Sequence, residues 1–404
     1  MSVLEGFRVL DFGRYVAGPY CATLLADLGA EVIRIERREG SEDRYIQPVK
    51  EATPGSPGGE GALFLQMNRN KLGMTLDPMT ERGREVVRRL AATADVVVAN
   101  LPSKTLQAMG LDYDTLVAVK PDIILACISA FGNGGPYSER VGFDGVAQAM
   151  CGSAYLSGSP DAPMKSYAAW VDFGTASLAA FGTVAALMER MRTGKGQIVE
   201  GALFSTALAF FNFHLIEQEL RHTNRVAIGN RSPYAGPVDM VPTQDGWIVV
   251  QVLGAPLFKR WARLVADETR TADDWINDPR FKDDISRGNN GEALSERTAQ
   301  WAATRTTAEA LTELETARIP AGPVYSPEAV LADPHVRAMN YMKPVSFPGV
   351  EKPAPIMETP VRLSETPATI RHRAPLLGEH TDQILTELGY STGDIASLRE
   401  DGII

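Results

Sequence analysis

Asp172 is the only charged residue between Ser166 and Met188, a stretch of twenty-three residues reading SYAAWVDFGTASLAAFGTVAALM. An ionised carboxylate in apolar surroundings is costly unless it is paired or hydrogen-bonded, so its presence there needs a reason. Two readings are open. Asp is a favoured N-cap, and a helical run follows it. Asp is also a covalent nucleophile, and the positive end of a helix would keep it ionised for that role. The two readings are compatible.

A second set of residues is cationic: Arg37 and Arg38 just past an apolar run, Lys71 within NRNK, Lys104, and Arg140. If the apolar runs are strands of a parallel sheet, these positions fall near their carboxyl ends, where ligands bind at the topological switch point. Singly, each is an ordinary solvated charge. Together they suit a polyanion, and the adenosine diphosphate end of coenzyme A fits. The segment Asp11–Pro19 (DFGRYVAGP) leads from a strand through a glycine-bearing turn into a helix, where backbone amides can bind phosphate. Its spacing is not G-x-G-x-x-G, so it carries no dinucleotide fingerprint, and a plain βα turn fits it as well as a ligand loop does.

Other chemistries find no support. There is no G-x-S-x-G elbow, P-loop or HExxH motif. His214, His222, His335, His372 and His380 lack metal-ligand spacing, so no metal is expected. Cys21, Cys127 and Cys151 show no C-x-x-C spacing, and their odd number suggests reduced thiols. Fifty acidic against forty basic residues give a formal charge of −10 with no dominant basic tract, which argues against nucleic acid as a partner. No segment approaches eighteen uninterrupted apolar residues and MSVLEGFR holds no apolar h-region, so a cytoplasmic chain without a membrane span is expected.

The elements that must position these residues follow from periodicity. Phe7–Phe12, Glu31–Ile35, Val96–Ala99 and Ile123–Ile128 read as strands, while Pro19–Leu28, ending at Gly29, and Thr80–Thr93 read as helices. A Gly/Pro-rich loop runs from Glu51 to Gly61. This alternation is the mark of a doubly wound, Rossmann-like α/β domain. A helix-rich stretch follows from about Gly145 to Arg225, broken by the turn TGKGQ at Thr193–Gln197. Val238–Val252 reads as two strands around Gln244-Asp245-Gly246, and Ile319–Pro323 (IPAGP) as a stiff segment crossing between domains. Thr381–Leu388 and Ser391–Glu400 read as closing helices. The expected organisation is a large α/β domain built from both chain ends, residues 1–224 and 326–404, with a smaller inserted α+β domain over 225–325.

At this point the ordered series of motifs resembles the class III CoA-transferase and racemase family, which includes formyl-CoA transferase, carnitine CoA-transferase and 2-methylacyl-CoA racemase. The likeness runs through LEGFRVLD at Leu4–Asp11, AGP at Ala17–Pro19, LGAEVIRIE at Leu28–Glu36, Asn68–Lys71, Val98–Asn100 and MGL at Met109–Leu111. It continues in FDGVAQA at Phe143–Ala149, the Asp172 segment, RTGKGQ at Arg192–Gln197 and LGEHT at Leu377–Thr381. The resemblance implies two chains interlocked as an obligate homodimer. It implies that an aspartate matching Asp172 attacks the donor thioester, forming a mixed anhydride and then an aspartyl-CoA thioester, with backbone N–H groups stabilising the oxyanions. It further implies that Val16 and Ala17 lie in a CoA-touching loop, that Arg37 and Lys71 contact the adenine and phosphate end, and that Asn100 lies near the pantetheine or diphosphate. Arg140 falls close to a cation of the family. Ala108 stands where formyl-CoA transferase has an arginine, so Lys104 is expected to supply that charge.

Racemases of this fold need a histidine in a Gly-His-Asp segment, and here Val141–Asp144 reads VGFD. Phenylalanine accepts no proton, so transfer is favoured over racemisation. A CoA-binding protein in which Asp172 is merely a cap is the non-catalytic alternative. VLGAP at Val252–Pro256 replaces the glycine run of formyl-CoA transferases, which points away from formate and oxalate and toward a small dicarboxylic acid, with succinyl-CoA as donor. Arg225, Arg231 and Tyr234 are candidates to grip its second carboxylate, since a guanidinium can do so with two hydrogen bonds; as ordinary surface or interface charges they would do no such thing.

Overall fold

Short apolar runs form one parallel sheet: β1 (Arg8–Asp11), β2 (Glu31–Glu36), β3 (Lys71–Thr75), β4 (Val96–Ala99), β5 (Ile124–Ser129) and β6 (Ile198–Ala202). This is a computed structural model, and it describes residues 2–51 and 59–404. Most of the loop read over Glu51–Gly61 therefore lies outside the described residues. The strand order is β3-β2-β1-β4-β5-β6, with every neighbouring pair parallel. This is the order of the doubly wound fold, and it reverses between β1 and β4.

Both faces of the sheet are covered, which is why its inner strands read as continuous apolar runs rather than alternating ones. On one face Val9, Val32, Val96, Val98 and Ile124 pack with α1 (Ala17–Asp27) and with a long helix whose Ala176, Ala179, Ala180 and Leu187 are buried. On the other, Leu10, Ile33, Val97 and Leu125 pack with α2 (Glu81–Thr93) and with residues from the end of the chain, Ile384, Leu385, Ile395, Leu398 and Ile404. Both ends of the chain thus share one core. The C-terminal segment also closes the sheet edge: His380 Nδ1 accepts from the Gly73 N–H at 3.1 Å and Thr381 Oγ1 from the Thr75 N–H at 3.0 Å, giving partners to amides an edge strand would otherwise expose.

The stretch read as helix-rich resolves into α3 (Asp144–Met150), α4 (Trp170–Thr193), the sheet's last strand β6, and α5 (Leu203–Arg221). Gly194 ends α4 with φ +72°, a left-handed conformation that glycine adopts without strain. The sequence reading missed β6 because its run IVEGA is short, only partly buried and set between two strong helix formers. Helix α4 is long and apolar enough to cross a membrane by length and composition, yet 44% of that window is buried against the sheet and α1.

The chain divides into two compact units. The larger comprises Met1–Cys151, Ser166–Ile216 and Arg337–Ile404; the smaller comprises Gly152–Lys165 and Glu217–Val336. These bounds differ from the expected 225–325 by several residues at each end and add the short segment Gly152–Lys165. The smaller unit holds a three-stranded antiparallel sheet of β7 (Val238–Pro242), β8 (Trp247–Gln251) and β9 (Ala321–Pro323), over a core of Phe258, Trp261, Trp275 and Phe281. The expected crossing segment Ile319–Pro323 is therefore not a free linker. Its Ala321–Pro323 pairs with β8, a place where proline is tolerated because an edge strand can forgo one donor.

A buried ionic network joins the carboxyl end of β1 to the amino end of β3, whose first residue is Lys71, so the expectation that Lys71 falls near the carboxyl end of a strand is corrected. Lys71 Nζ donates to Asp11 Oδ2 at 2.8 Å, to the Pro19 carbonyl at 2.8 Å and to Asn68 Oδ1 at 3.0 Å, so all three of its N–H groups are used. Burial pulls its pKa down to about 8 against the opposing pull of Asp11. Removing one member of a buried pair strands the other charge. Lys71→Met is expected to cost about 3–5 kcal/mol in denaturant unfolding; a loss below about 1 kcal/mol would show that Asp11 does not depend on the ammonium.

Candidate active site

The N-terminus of α4 is capped from another element. Its N-cap residue, Ala169, offers no side-chain bond, and Asp144 of α3 fills the role instead. Asp144 Oδ2 accepts from the Val171 N–H at 2.8 Å and from the Asp172 N–H at 3.0 Å. Gln148, one turn further along α3, donates to Asp144 Oδ1, and its own Oε1 accepts from the Ser166 N–H at 2.8 Å. Both side chains are almost wholly buried. An i,i+4 pair on a short helix therefore fixes the approach to the catalytic-candidate helix as well as its first turn.

This arrangement decides between the two readings of Asp172. Asp172 sits inside the first turn of α4, not at its cap. Among the described residues no donor lies within hydrogen-bonding distance of its carboxylate. Burial, and then the neighbouring Asp144 carboxylate, push its pKa up to about 7. The expectation that the helix end would keep Asp172 ionised is thus corrected: the amides that would do so are bonded to Asp144, whose negative charge works the other way. The first four amides of the turn are all occupied, since Trp170 N–H donates to Ala168 at 2.9 Å and Phe173 N–H to Ala169 at 3.1 Å. These amides cannot serve as the oxyanion donors that were expected nearby.

Around the switch point the loop after β1 is held to β4 by Asn100. Its Oδ1 accepts from the Arg14 N–H at 2.7 Å, and its Nδ2 donates to the Arg14 carbonyl at 2.9 Å. Both ends of the amide are therefore spent on the loop, which makes Asn100 a loop clamp. Val16 and Ala17, at the start of α1, are buried, so their side chains pack inward and only their backbone can face a ligand. Tyr15, just before them, has φ +60°, a conformation rare for a bulky residue, and its ring meets that of Phe143 edge-on at 5.7 Å. Phe143 is 64% exposed and directly precedes Asp144. Five residues along, Tyr20 in the first turn of α1 meets Phe173 of α4 at 4.9 Å, which places the start of α1 beside the first turn that bears Asp172.

The expected cations are placed differently. Arg37 is exposed and bonded to Glu42 at 2.5 Å. Lys104 and Glu139 form an exposed pair at 3.0 Å, and Arg140 lies over the Tyr137 ring at 3.9 Å, so the loops after β4 and β5 present charge side by side. Arg38 turns toward the Gly402 carbonyl. Lys71 is the correction: its ammonium is enclosed and fully bonded within the chain, so it supports the loop from below and is not presented to a phosphate. In the smaller unit the fork of Arg225 is filled by Glu217, with two bonds of 2.6 Å, which corrects its reading as an open carboxylate grip. Arg231 lies 3.9 Å from Glu292 and is the more available cation of the two. Tyr234 lies beneath the Arg225 guanidinium.

The sequence profile described as CoA-transferase family III matches residues 4–381. The chain belongs to CoA-transferase family III. It is 32% identical over 404 residues to succinyl-CoA–D-citramalate CoA-transferase of Chloroflexus aurantiacus, covering 99% of this chain and 98% of that protein. Succinate–glutarate CoA-transferase of Agrobacterium fabrum is 33% identical, with 95% of each chain covered, and formyl-CoA:oxalate CoA-transferase of a Bradyrhizobium strain is 31% identical over 100% of this chain and 97% of that one. Among solved structures, a CAIB/BAIF family protein from Brucella suis superposes with a TM-score of 0.82 at 32% identity, over 96% of this chain and 99% of that chain. The reading of the chain as an enzyme of this family is borne out, as is a mixed α/β fold around a parallel sheet.

Sequence reasoning missed Asp144 and Gln148, which it quoted only as part of a motif. The available signal was their i,i+4 spacing in DGVAQ, with an acid placed ahead of a helix whose own cap position is an alanine. The raised Asp172 pKa gives a test by linkage. Below the unfolded value of 3.8 Asp172 is protonated in both states and carries no penalty; as pH rises toward about 7 the folded state resists ionisation and loses stability. Asp172→Asn removes that penalty, so it is expected to stabilise the protein by on the order of 2–4 kcal/mol at pH 8 and by little at pH 4. Equal effects at both pH values in denaturant unfolding would contradict the shift.

Proposed function

We propose that the protein moves CoA from an acyl-CoA donor to a small carboxylic acid, with Asp172 as the covalent nucleophile. The observation that carries this reading is a half-buried carboxylate in the first turn of α4 that does not cap the helix, because Asp144 does, and that accepts no hydrogen bond from the described residues. A carboxylate with a pKa near 7 is a stronger nucleophile than an ordinary aspartate and is still substantially ionised at neutral pH.

The steps balance on Asp172 alone. Its carboxylate oxygen attacks the donor thioester carbonyl, the C–S bond breaks, and CoA thiolate leaves a mixed anhydride. The thiolate attacks the aspartyl carbonyl, releasing the donor acid and leaving an aspartyl-CoA thioester. The acceptor carboxylate attacks that thioester and expels the thiolate, which then attacks the acceptor carbonyl of the second anhydride to give the new acyl-CoA and free Asp172. Each intermediate lies close in energy to a thioester or anhydride, so no step requires a deep climb.

For the ligands, Val16 and Ala17 would offer backbone at the switch point, Asn100 would hold their loop, and Arg37, Lys104 and Arg140 would meet the nucleotide end. Relatives named for D-citramalate and glutarate, and succinyl-CoA:mesaconate CoA-transferase of Haloarcula hispanica at 32% identity, favour succinyl-CoA as donor and a dicarboxylic acid as acceptor. Arg231 is the candidate for the acceptor's second carboxylate. A homodimer, interlocked as the resemblance implies, fits the apolar side chains left on the surface: Tyr167 is 97% exposed, Phe181 73% and Met191 76%. The free thiols Cys21, Cys127 and Cys151 fit a cytoplasmic setting.

With succinyl-CoA and a panel of dicarboxylates, the enzyme is expected to form the new acyl-CoA, and Asp172→Asn to lower kcat by at least about a thousandfold. Because only the ionised form attacks, kcat/KM should rise with pH through about 7 and then level off. Deuterium entering the α-position of a 2-methylacyl-CoA, with no CoA exchange onto any acid, would overturn transfer in favour of racemisation.

A further inference from the structure

One histidine fastens the C-terminal segment to the edge of β3. The His380 N–H donates to the Gly73 carbonyl at 2.8 Å, and the Gly73 N–H donates back to His380 Nδ1 at 3.1 Å. Next along the strand edge, the Thr75 N–H donates to Thr381 Oγ1 at 3.0 Å. Strand and segment approach closely here. A Cβ at Gly73 would stand 2.8 Å from Pro375 Cβ and 3.0 Å from the Leu376 carbonyl, so the glycine is what lets them meet. The bond from Gly73 also fixes the state of the ring. An imidazole accepts only through an unprotonated nitrogen, so the neutral ring carries its proton on Nε2. With a second proton both ring nitrogens are donors, and the Gly73 N–H then faces another N–H.

Among the described residues, no acid beside the ring is left to hold that second proton. A cleft of about 460 Å³ next to His380 is lined by Arg371, His372, Arg373 and Glu379 of the same segment and by Lys71 of β3. Glu379 is the acid of this set, and its oxygens are taken by Arg373, at 2.5 and 2.8 Å, and by the Leu376 N–H at 2.8 Å. The Lys71 ammonium is turned inward to Asp11, and Arg371 reaches the Ala26 carbonyl at 2.7 Å. We propose that His380 is an acid-released latch: the neutral ring fastens residues 376–381 to β3, and protonation frees them and bares the edge of the sheet. Burial pushes the His380 pKa below its ordinary 6.5, opposed by Glu379 and assisted by Arg373 and His372. The latch is therefore at full strength above 6.5 and weakens as pH falls from there toward the lower pKa of the bonded ring. Ile384, Leu385, Ile395, Leu398 and Ile404 keep the closing helices in the core, so the opening is confined to the stretch ahead of them. The Gly73 and Thr75 amides it exposes are edge groups able to pair with another strand. The latch does not depend on which acids the enzyme serves.

Amide hydrogen exchange of the full chain, with rates corrected for the chemical effect of pH, tests this in wild type and in His380→Asn. The Asn side-chain oxygen accepts from the Gly73 N–H as Nδ1 does, but does not titrate. Between pH 7.5 and pH 5.5 the wild-type β3 amides are expected to lose protection about three- to tenfold, since one proton taken up on opening changes the equilibrium by at most about tenfold per pH unit. His380→Asn is expected to lose none. NMR of histidine-labelled wild type needs no variant: His380 is expected as the Nε2–H tautomer at pH 7.5, titrating below 6.5. Wild-type protection equal at the two pH values, a loss of the same size in His380→Asn, or a ring protonated on Nδ1 at pH 7.5 overturns the latch.

Discussion

The catalytic proposal depends on which carboxylate satisfies the first turn of α4. A helix start has amides without intrahelical partners, and here two of them go to Asp144, a residue 28 positions before Asp172 in the chain. Had Asp172 been the cap, its oxygens would be spent on backbone, its pKa would fall, and it would be a poor nucleophile. With Asp144 in that role, Asp172 is fixed through its own N–H while its side chain is left unbonded, desolvated and beside a like charge. Positioning and activation are thereby divided between two acids whose environments differ, a common way to give paired carboxylates separate tasks.

A second division of labour holds the loops at the switch point. The buried charges Asp11, Arg34, Lys71 and Asp43 lie below them, and the exposed charges Arg14, Arg37 and Glu42 lie above. Buried ion pairs add little net stability compared with apolar packing, but each fixes a geometry that apolar contacts would leave loose. Here the groups fixed are the Gly13 N–H, the Pro19 carbonyl and the Asp43 carboxylate, in the segments that follow β1 and β2.

The parallel sheet was legible because strands buried on both faces leave uninterrupted runs such as VVVA at Val96–Ala99 and ILACIS at Ile124–Ser129. The closing helices were legible through capping signals such as Ser391 with Asp394. Strand β6 was not, since a short, half-exposed edge strand has neither a continuous run nor clean alternation. At the site, Asp172 was visible as an isolated charge, while Asp144 was not recognised as its partner, because the i,i+4 spacing in DGVAQ does not say which distant helix the acid caps. The same holds for Lys71. A lysine looks the same in sequence whether its ammonium points to solvent or, as here at the first residue of β3, into a cage of three oxygens.

The central claim is that Asp172 carries CoA covalently. It is tested most directly by incubating the full chain with succinyl-CoA in the absence of acceptor, quenching, and reading intact and peptide masses beside the Asp172→Ala variant. A CoA adduct confined to the peptide that contains Asp172, and missing in the variant, is the predicted result. CoA transfer to a dicarboxylate that proceeds in Asp172→Ala at the wild-type rate, or an adduct on a different peptide, would contradict it.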